Sequence, residues 1–588
     1  MSRLVSRSLA TLGIGAWLVA AVAAAPAAAA HSSDNCTARA MKPAALIEVK
    51  RAEGEAFAVA NLLSADRQLS AKAHGVADDL ARESVLHRPN LAAVKRFLRA
   101  APSSFTLPVE VSSGRVELEL LRVDITTPDF KVVTSESNGQ AVPYQPGVHY
   151  RGKIKGDPDS YAAVSVFPDE VMGSYFTPSE GTVVIGRLLG DNPRGAHIVY
   201  PSRVIDAQNQ WSCGTSDAAE ASAPGGLDLD LRPAAPSRAL DFQAAPAAGP
   251  DEKALDDKAI VKCVKVYVET DFDMFQNKGS VAAVTSYVTG FFNQSAVLYS
   301  NESIPIALSQ VFVWSSSDPY TGTTSSSMLS QFQANRNSFN GDVGHLVAFH
   351  GGGGIAAGFS AFCNASIDNR QCFSGVNSSF SNVPTYSWTV QVFTHEMGHL
   401  FGSRHTHACA WNGNSTAIDG CSAPEGTCAR PGLPPGGGTI MSYCHLSGNP
   451  GINFNNGFGS QPGNTIRSRF NSASCLGTCD TGGGGGGGCT TYTGTLSGAN
   501  DVDYHPNGTY YQSTTSGTHS GTLTGPGGAD FDLYLWKWNG SAWAKVASSE
   551  GSTSSEAINY SGTPGFYEWE VRSFSGSGSY SLCIKKPS

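Results

Sequence analysis

A chain of 588 residues is longer than a single hydrophobic core usually organises, so several domains are expected. Hydrophobic residues make up 41% and charged residues only 15%, with 65 glycines, which suits β-rich, loop-rich exported domains better than helical ones. The formal net charge of -9, with no basic run and no phosphate-cradling glycine loop, argues against nucleic acid as a partner.

Residues 1–30 place Arg3 and Arg7 before an apolar run from Leu9 and end in Ala28, Ala29 and Ala30, the layout of a cleaved secretory signal peptide. Downstream there is no apolar run of the roughly eighteen residues a membrane helix needs, so the mature chain is expected in solution outside the cell, with no membrane partner. Residues 31–216 contain an amphipathic helix in "NLAAVKRFLRA" and then strand patterns in "RVELELLRVDI", "SYAAVSVF" and "GTVVIGRLL". Residues 217–252, rich in Ala, Pro, Gly and Asp, read as an exposed linker open to proteolytic cleavage.

A second unit, residues 253–480, begins with the β-branched run "AIVKCVKVYVETD" and carries a long helix pattern in "VAAVTSYVTGFFNQSAVLYS" and a strand in "VGHLVAF". The glycine run 481–488 is a flexible linker. Residues 489–588 alternate apolar and polar positions between Gly, Ser and Asn turns, the pattern of a small antiparallel β-sandwich. Its aromatic residues Tyr534, Trp536, Trp538 and Trp543 are expected in the core more than on a binding face.

Eleven of the 13 cysteines follow residue 250, which in an exported chain reads as a disulfide framework. The odd count leaves at least one without an internal partner. Cys363 to Cys372 and Cys489 to Cys583 are the expected pairings.

The segment "FTHEMGHLFGSRHTH", residues 393–407, holds the chemistry. His395 and His399 are four residues apart, so a helix puts both imidazoles on one face, near enough to share an ion. Glu396 sits beside them as a general acid-base group. Gly402 permits a turn that returns His405 as a third nitrogen ligand, leaving one position open for water, as in a catalytic zinc site. Ordinary polar positions on a half-buried helix would not need this joint spacing.

"HEMGHLFGSRH" followed by "GTIMSYC" resembles the metzincin clan of zinc endopeptidases, in which a methionine turn underlies the metal, and Met441 matches that methionine. Residues 259–480 look most like the adamalysin or reprolysin type, although Thr406 stands where that type usually has Asp. The resemblance implies one catalytic Zn2+ on His395, His399 and His405 with Glu396 as general base, and protein or peptide substrates. Tyr443, two residues after Met441, matches a tyrosine that astacins and serralysins use as an auxiliary ligand and transition-state donor. "VGHLVAFHGGGGIAAGFS" resembles the edge strand on which such enzymes lay a substrate, and His407 and His445 are expected outside the ligand set.

The 31–216 segment resembles an inhibitory propeptide, and Cys213-Gly214 in "QWSCGTSD" resembles a cysteine switch whose thiolate fills the open zinc position. A disulfide from Cys213 to Cys36 is the competing expectation. Residues 489–588 resemble the pre-peptidase C-terminal domain of secreted bacterial proteases. The expected fold is thus an α/β metzincin-type catalytic domain with a twisted mixed sheet, an active-site helix and a Met-turn, preceded by a β-rich prodomain and followed by the sandwich. A secreted monomeric zymogen of a zinc metalloendopeptidase is the expected function. Calcium is a second candidate cofactor with no residues assigned to it. A zinc amidase acting on cell-wall peptides and a catalytically silent binding protein are the alternatives.

Overall fold

The computed structural model describes residues 42–215, 262–479 and 490–587, apart from short internal stretches of which 377–382 is the longest. The expected signal peptide, the 217–252 linker, the glycine run and Cys36 lie outside the described residues, as does one partner of the expected Cys489–Cys583 pair.

The N-terminal region supplies strands β1 (Leu63–Ala65), β2 (Val85–Pro89), β3 (Ser104–Val111), β4 (Gly114–Val123), β5 (Thr126–Thr134), β6 (Val148–Ile154), β7 (Tyr161–Val166), β8 (Val171–Thr177), β9 (Gly181–Arg187) and β10 (His197–Pro201). All except β5 form one antiparallel sheet in the order β1-β2-β10-β9-β8-β7-β6-β4-β3. Helix Leu91–Ala100 starts where Asn90 Oδ1 accepts from Ala93 N at 3.0 Å, and ends where Ala101 turns left-handed at φ 37°. Its Phe97 packs against Phe105 and Tyr150, at ring distances of 4.7 and 5.5 Å.

The second region adds β11 (Val264–Thr270), β12 (Ile306–Val313), β13 (Val343–Ala348), β14 (Gly354–Ala356) and β15 (Gln371–Gly375). They form a mixed sheet in the order β14-β15-β13-β11-β12-β5, in which only β14 runs antiparallel to its neighbour. Its last strand is β5 of the N-terminal region, paired parallel to β12 through Lys131↔Gln310 to Thr134↔Val313. Helix Val281–Asn301, capped by Ser280, buries residues on all sides because the nine-stranded sheet packs against it from one face and helix Tyr386–Leu400 from another. Apolar residues of both regions therefore form one continuous core, in which Val132, Met172 and Phe176 join Val266, Val297 and Phe393.

Disulfides Cys263–Cys479, Cys363–Cys475, Cys409–Cys428 and Cys421–Cys444 tie this region together. The expected Cys363–Cys372 bridge is therefore corrected. Cys372 is a free thiol buried in strand β15, whereas Cys363 lies in a loop, at φ 56°, where Cys475 reaches it after helix Ser460–Ser472.

The C-terminal region is a two-sheet sandwich, one sheet from Thr490–Leu496, Gly578–Lys585, Gly517–Thr524 and Ser555–Gly562, the other centred on Gly565–Ser575 and Asp530–Trp538. Phe531, Leu533, Leu535, Tyr567 and Trp569 fill its core. Tyr534, Trp536 and Trp538 sit at alternating positions on the opposite side of their strand and are half-buried or exposed, so the expectation of a core role for them is also corrected.

Candidate metal centre

Helix Tyr386–Leu400 carries an apolar run that holds it in the core, and its last turns present His395, Glu396 and His399, all fully buried. The chain leaves the helix at Gly402, whose φ of 107° suits glycine, and comes back with His405. Beneath the helix lies Met441, so close that a methyl group added at Gly398 would stand 2.7 Å from its sulfur.

Each imidazole is oriented through Nδ1. That atom faces Ile440 O for His395 and Ser403 O for His399, both at 2.7 Å, and Glu425 Oε1 for His405 at 2.8 Å. A carbonyl or carboxylate oxygen can only accept, so the proton sits on Nδ1 and each Nε2 presents a lone pair. The Nε2 atoms converge, with His399 3.1 Å from both His395 and His405. Lone pairs so close repel unless a cation lies between them. A tetrahedral zinc with bonds of about 2.0–2.1 Å sets its ligand nitrogens roughly 3.3 Å apart, so this donor set fits zinc. Burial pushes His395 and His399 well below their ordinary pKa, and the neighbouring histidines add to this, which keeps both imidazoles neutral. Burial also pushes Glu396 well above the usual carboxylate range.

Cys213 comes to the same point. Its Sγ lies within 4.8 Å of the three imidazole nitrogens, and its thiol donates to Glu396 Oε2 at 3.3 Å. It is free, so it is not bonded to Cys36. Residues 212–214 run parallel to β14, with Gly354 N donating to Ser212 O at 3.0 Å and Gly214 N to Gly354 O at 2.8 Å. Tyr443 grips the same segment, since its hydroxyl accepts from Cys213 N at 2.8 Å and donates to Cys213 O at 3.0 Å. Every residue singled out in the sequence is thus gathered here: His395, His399, His405, Glu396, Met441, Tyr443 and Cys213. Within the stretch 343–360, β14 lies at one edge of the sheet and β13 inside it.

Two further residues stand beside this set: Glu425, which the sequence did not single out, and His445, which it placed outside the ligand set. Glu425 holds His405, and its Oε1 lies 3.5 Å from His407 Nε2. Burial alone would raise Glu425, but hydrogen bonds from His405 and His407 more than offset that and hold it below the usual carboxylate range. Its position is built by the Ala408↔Glu425 bridge, by Cys409 N donating to its carbonyl at 2.8 Å, and by the Cys409–Cys428 disulfide. His445 is buried and faces Trp211, whose carbonyl oxygen lies 2.9 Å from its Nε2. Glu425 sits at no recurring spacing from the helix motif and reaches His405 only because the chain folds back there.

Among the described residues no helix is long and apolar enough to cross a membrane. Among solved structures, this chain is similar to the pre-peptidase C-terminal domain of a collagenase from Bacillus anthracis, at 19% identity over 16% of this chain and 89% of that one, TM-score 0.15. It is also similar to a carbohydrate-binding module of Cellvibrio mixtus lichenase, at 13% identity over 17% of this chain and 91% of that one, TM-score 0.11. Residues 262–453, which carry the three histidines and Glu396, match the reprolysin profile described as Metallo-peptidase family M12. Residues 262–453 thus match the metallopeptidase family M12, and two β-rich regions flank them.

Proposed function

We propose that the protein is the latent form of a secreted zinc metalloendopeptidase that hydrolyses peptide bonds in proteins, with His395, His399 and His405 as ligands and Glu396 as general base. The observation that carries this reading is the convergence of three proton-free Nε2 atoms beside one buried carboxylate. When bound, zinc supplies Lewis-acid chemistry, acidifying water and polarising the scissile carbonyl. Glu396 takes the proton of the attacking water and passes it to the leaving amine. Tyr443, once freed from Cys213, holds a hydroxyl where oxyanion charge develops. Met441 packs under the helix as the Met-turn residue.

Residues 31–216 act as the inhibitory propeptide and Cys213 as its switch. The thiol stands against Glu396 and the histidines, so the cleft is closed to substrate until the segment leaves. Cleavage in 217–252 would permit that. The test is hydrolysis of casein by the activated chain as wild type, Glu396→Gln, and wild type with a zinc chelator. Glu396→Gln is expected to lose about a thousandfold in kcat/KM while retaining one zinc per chain. Chelation should abolish activity and added zinc restore it. Full activity in Glu396→Gln would remove the general-base assignment. Cleavage of cell-wall peptides with casein intact would replace the endopeptidase with an amidase.

A further inference from the structure

Trp211 lies two residues before Cys213 and is only 8% exposed. Its indole stacks on the His445 ring at 4.7 Å and 8°, and its edge meets the metal-site residue His395 at 5.1 Å. Its carbonyl accepts from His445 Nε2, and the residues after it pair with β14. A peptide strand thus already occupies the cleft, and the cavity filled by its buried side chain is a cavity the cleft offers to any peptide laid there.

The walls are built for a flat ring. Trp388, Gln391, Val392 and His395 recur at the three- and four-residue steps that put them on one face of helix Tyr386–Leu400, and His445 closes the opposite side. His445 is held in one tautomer, because Asn209 donates to Gln391 Oε1 at 2.9 Å and Gln391 Nε2 donates to His445 Nδ1 at 3.0 Å. That leaves Nε2–H to read a backbone carbonyl while the ring face receives an aromatic side chain. Among the described residues the Trp211 indole N–H has no hydrogen-bond partner, so the cavity recognises the ring as hydrocarbon alone. Beside it a further cavity of about 260 Å³ opens toward Phe349 and Val392, room enough for rings in more than one pose.

We propose that this cavity is the specificity pocket of the enzyme and selects substrates with a planar aromatic side chain, phenylalanine before tyrosine or tryptophan, beside the scissile bond. His445 is its positioning residue, fixing both the ring and the peptide carbonyl. The proposal rests on the peptidase reading above and names its substrate class. The test uses the chain after activation, on two fluorogenic peptides that differ only in Phe or Ala at the position flanking the cleaved bond, and on a peptide library read by mass spectrometry. The expected result is a Phe-to-Ala ratio in kcat/KM of roughly tenfold or more, with aromatic residues beside most cleaved bonds, and a ratio reduced to a few-fold in His445→Ala. Equal turnover of both peptides overturns the pocket and leaves the peptidase reading intact. No turnover of any peptide removes the peptidase reading, and binding then decides the pocket. Synthetic peptides of residues 209–215 should bind the activated chain at least tenfold more tightly with Trp or Phe at position 211 than with Ala, and equal affinities would overturn it.

Discussion

The two β-rich regions that flank the metallopeptidase domain relate to it in opposite ways. The N-terminal region gives β5 to the catalytic sheet and threads side chains into helix Val281–Asn301, where Arg151 reaches Asn293 at 3.0 Å and Ser300 at 3.2 Å and Ser174 donates to Gln294. Its last described residues lie in the metal centre. The C-terminal sandwich keeps a separate core around Trp569 and Phe531. In the latent chain one neighbour shares the core and sheet of the fold that makes the site; the other is a module attached to it. Loss of the N-terminal region would bare the β12 edge and expose to water the face of helix Val281–Asn301 that carries Asn293 and Gln294.

Splitting the two cores is the strongest way to break that contrast. Val132, 1% exposed, belongs to the shared core, and Leu533, 0% exposed, to the sandwich core. An aspartate at either place buries an unpaired carboxylate, at a cost of roughly 4 kcal/mol or more. Calorimetry of the whole chain should resolve two transitions. Val132→Asp should lower the zinc-dependent one alone, and Leu533→Asp the other alone. A Leu533→Asp chain in which both transitions fell together would mean that the sandwich is part of the catalytic fold after all.

That dependence was hidden in the sequence for a physical reason. The helix motif was legible because His395, Glu396 and His399 are brought together by the helical repeat itself, and Gly402 marks the turn to His405. Strand β5 was not singled out in the sequence, and a parallel partner more than a hundred residues away leaves no mark on either strand. The Cys363–Cys475 pairing and the approach of Glu425 to His405 depend on how loops fold back, so spacing could not give them.

Glu425 sharpens the contrast next, because it tests how far the site depends on its own domain and not on its neighbours. Glu425→Ala removes the acceptor that fixes the His405 ring, and zinc affinity, measured by competition with a chromogenic chelator, should fall about tenfold to a hundredfold. Glu425→Gln should recover part of the loss, since its amide oxygen still accepts. Unchanged affinity in both variants would reduce the carboxylate to a loop anchor.

The smallest effect separates the two cores by pH. His350 stands where β13 gives way to the loop that carries β14. Its Nδ1 lies 3.0 Å from Asp271 and 3.2 Å from Asp273, and its Nε2 faces Tyr320 O at 3.0 Å. Both ring nitrogens thus have acceptors, which favours the imidazolium, and the Asp271 hydrogen bond is the main reason its pKa is raised from 6.5 to about 9. The folded chain binds this proton more tightly than the unfolded one. Its contribution is therefore complete below pH 6.5 and lost as pH rises through about 9, amounting to about 1 kcal/mol after solvent screening. In the sandwich, burial lowers His505, and lowers His519 to about 4, so those residues cost stability only as pH falls below 6.5. Between pH 6.5 and 9 the zinc-dependent transition should drift downward and the sandwich transition stay level, and His350→Gln should flatten the drift. Equal drift in both transitions would instead point to a titration common to the two cores, and His350 would lose its part in it.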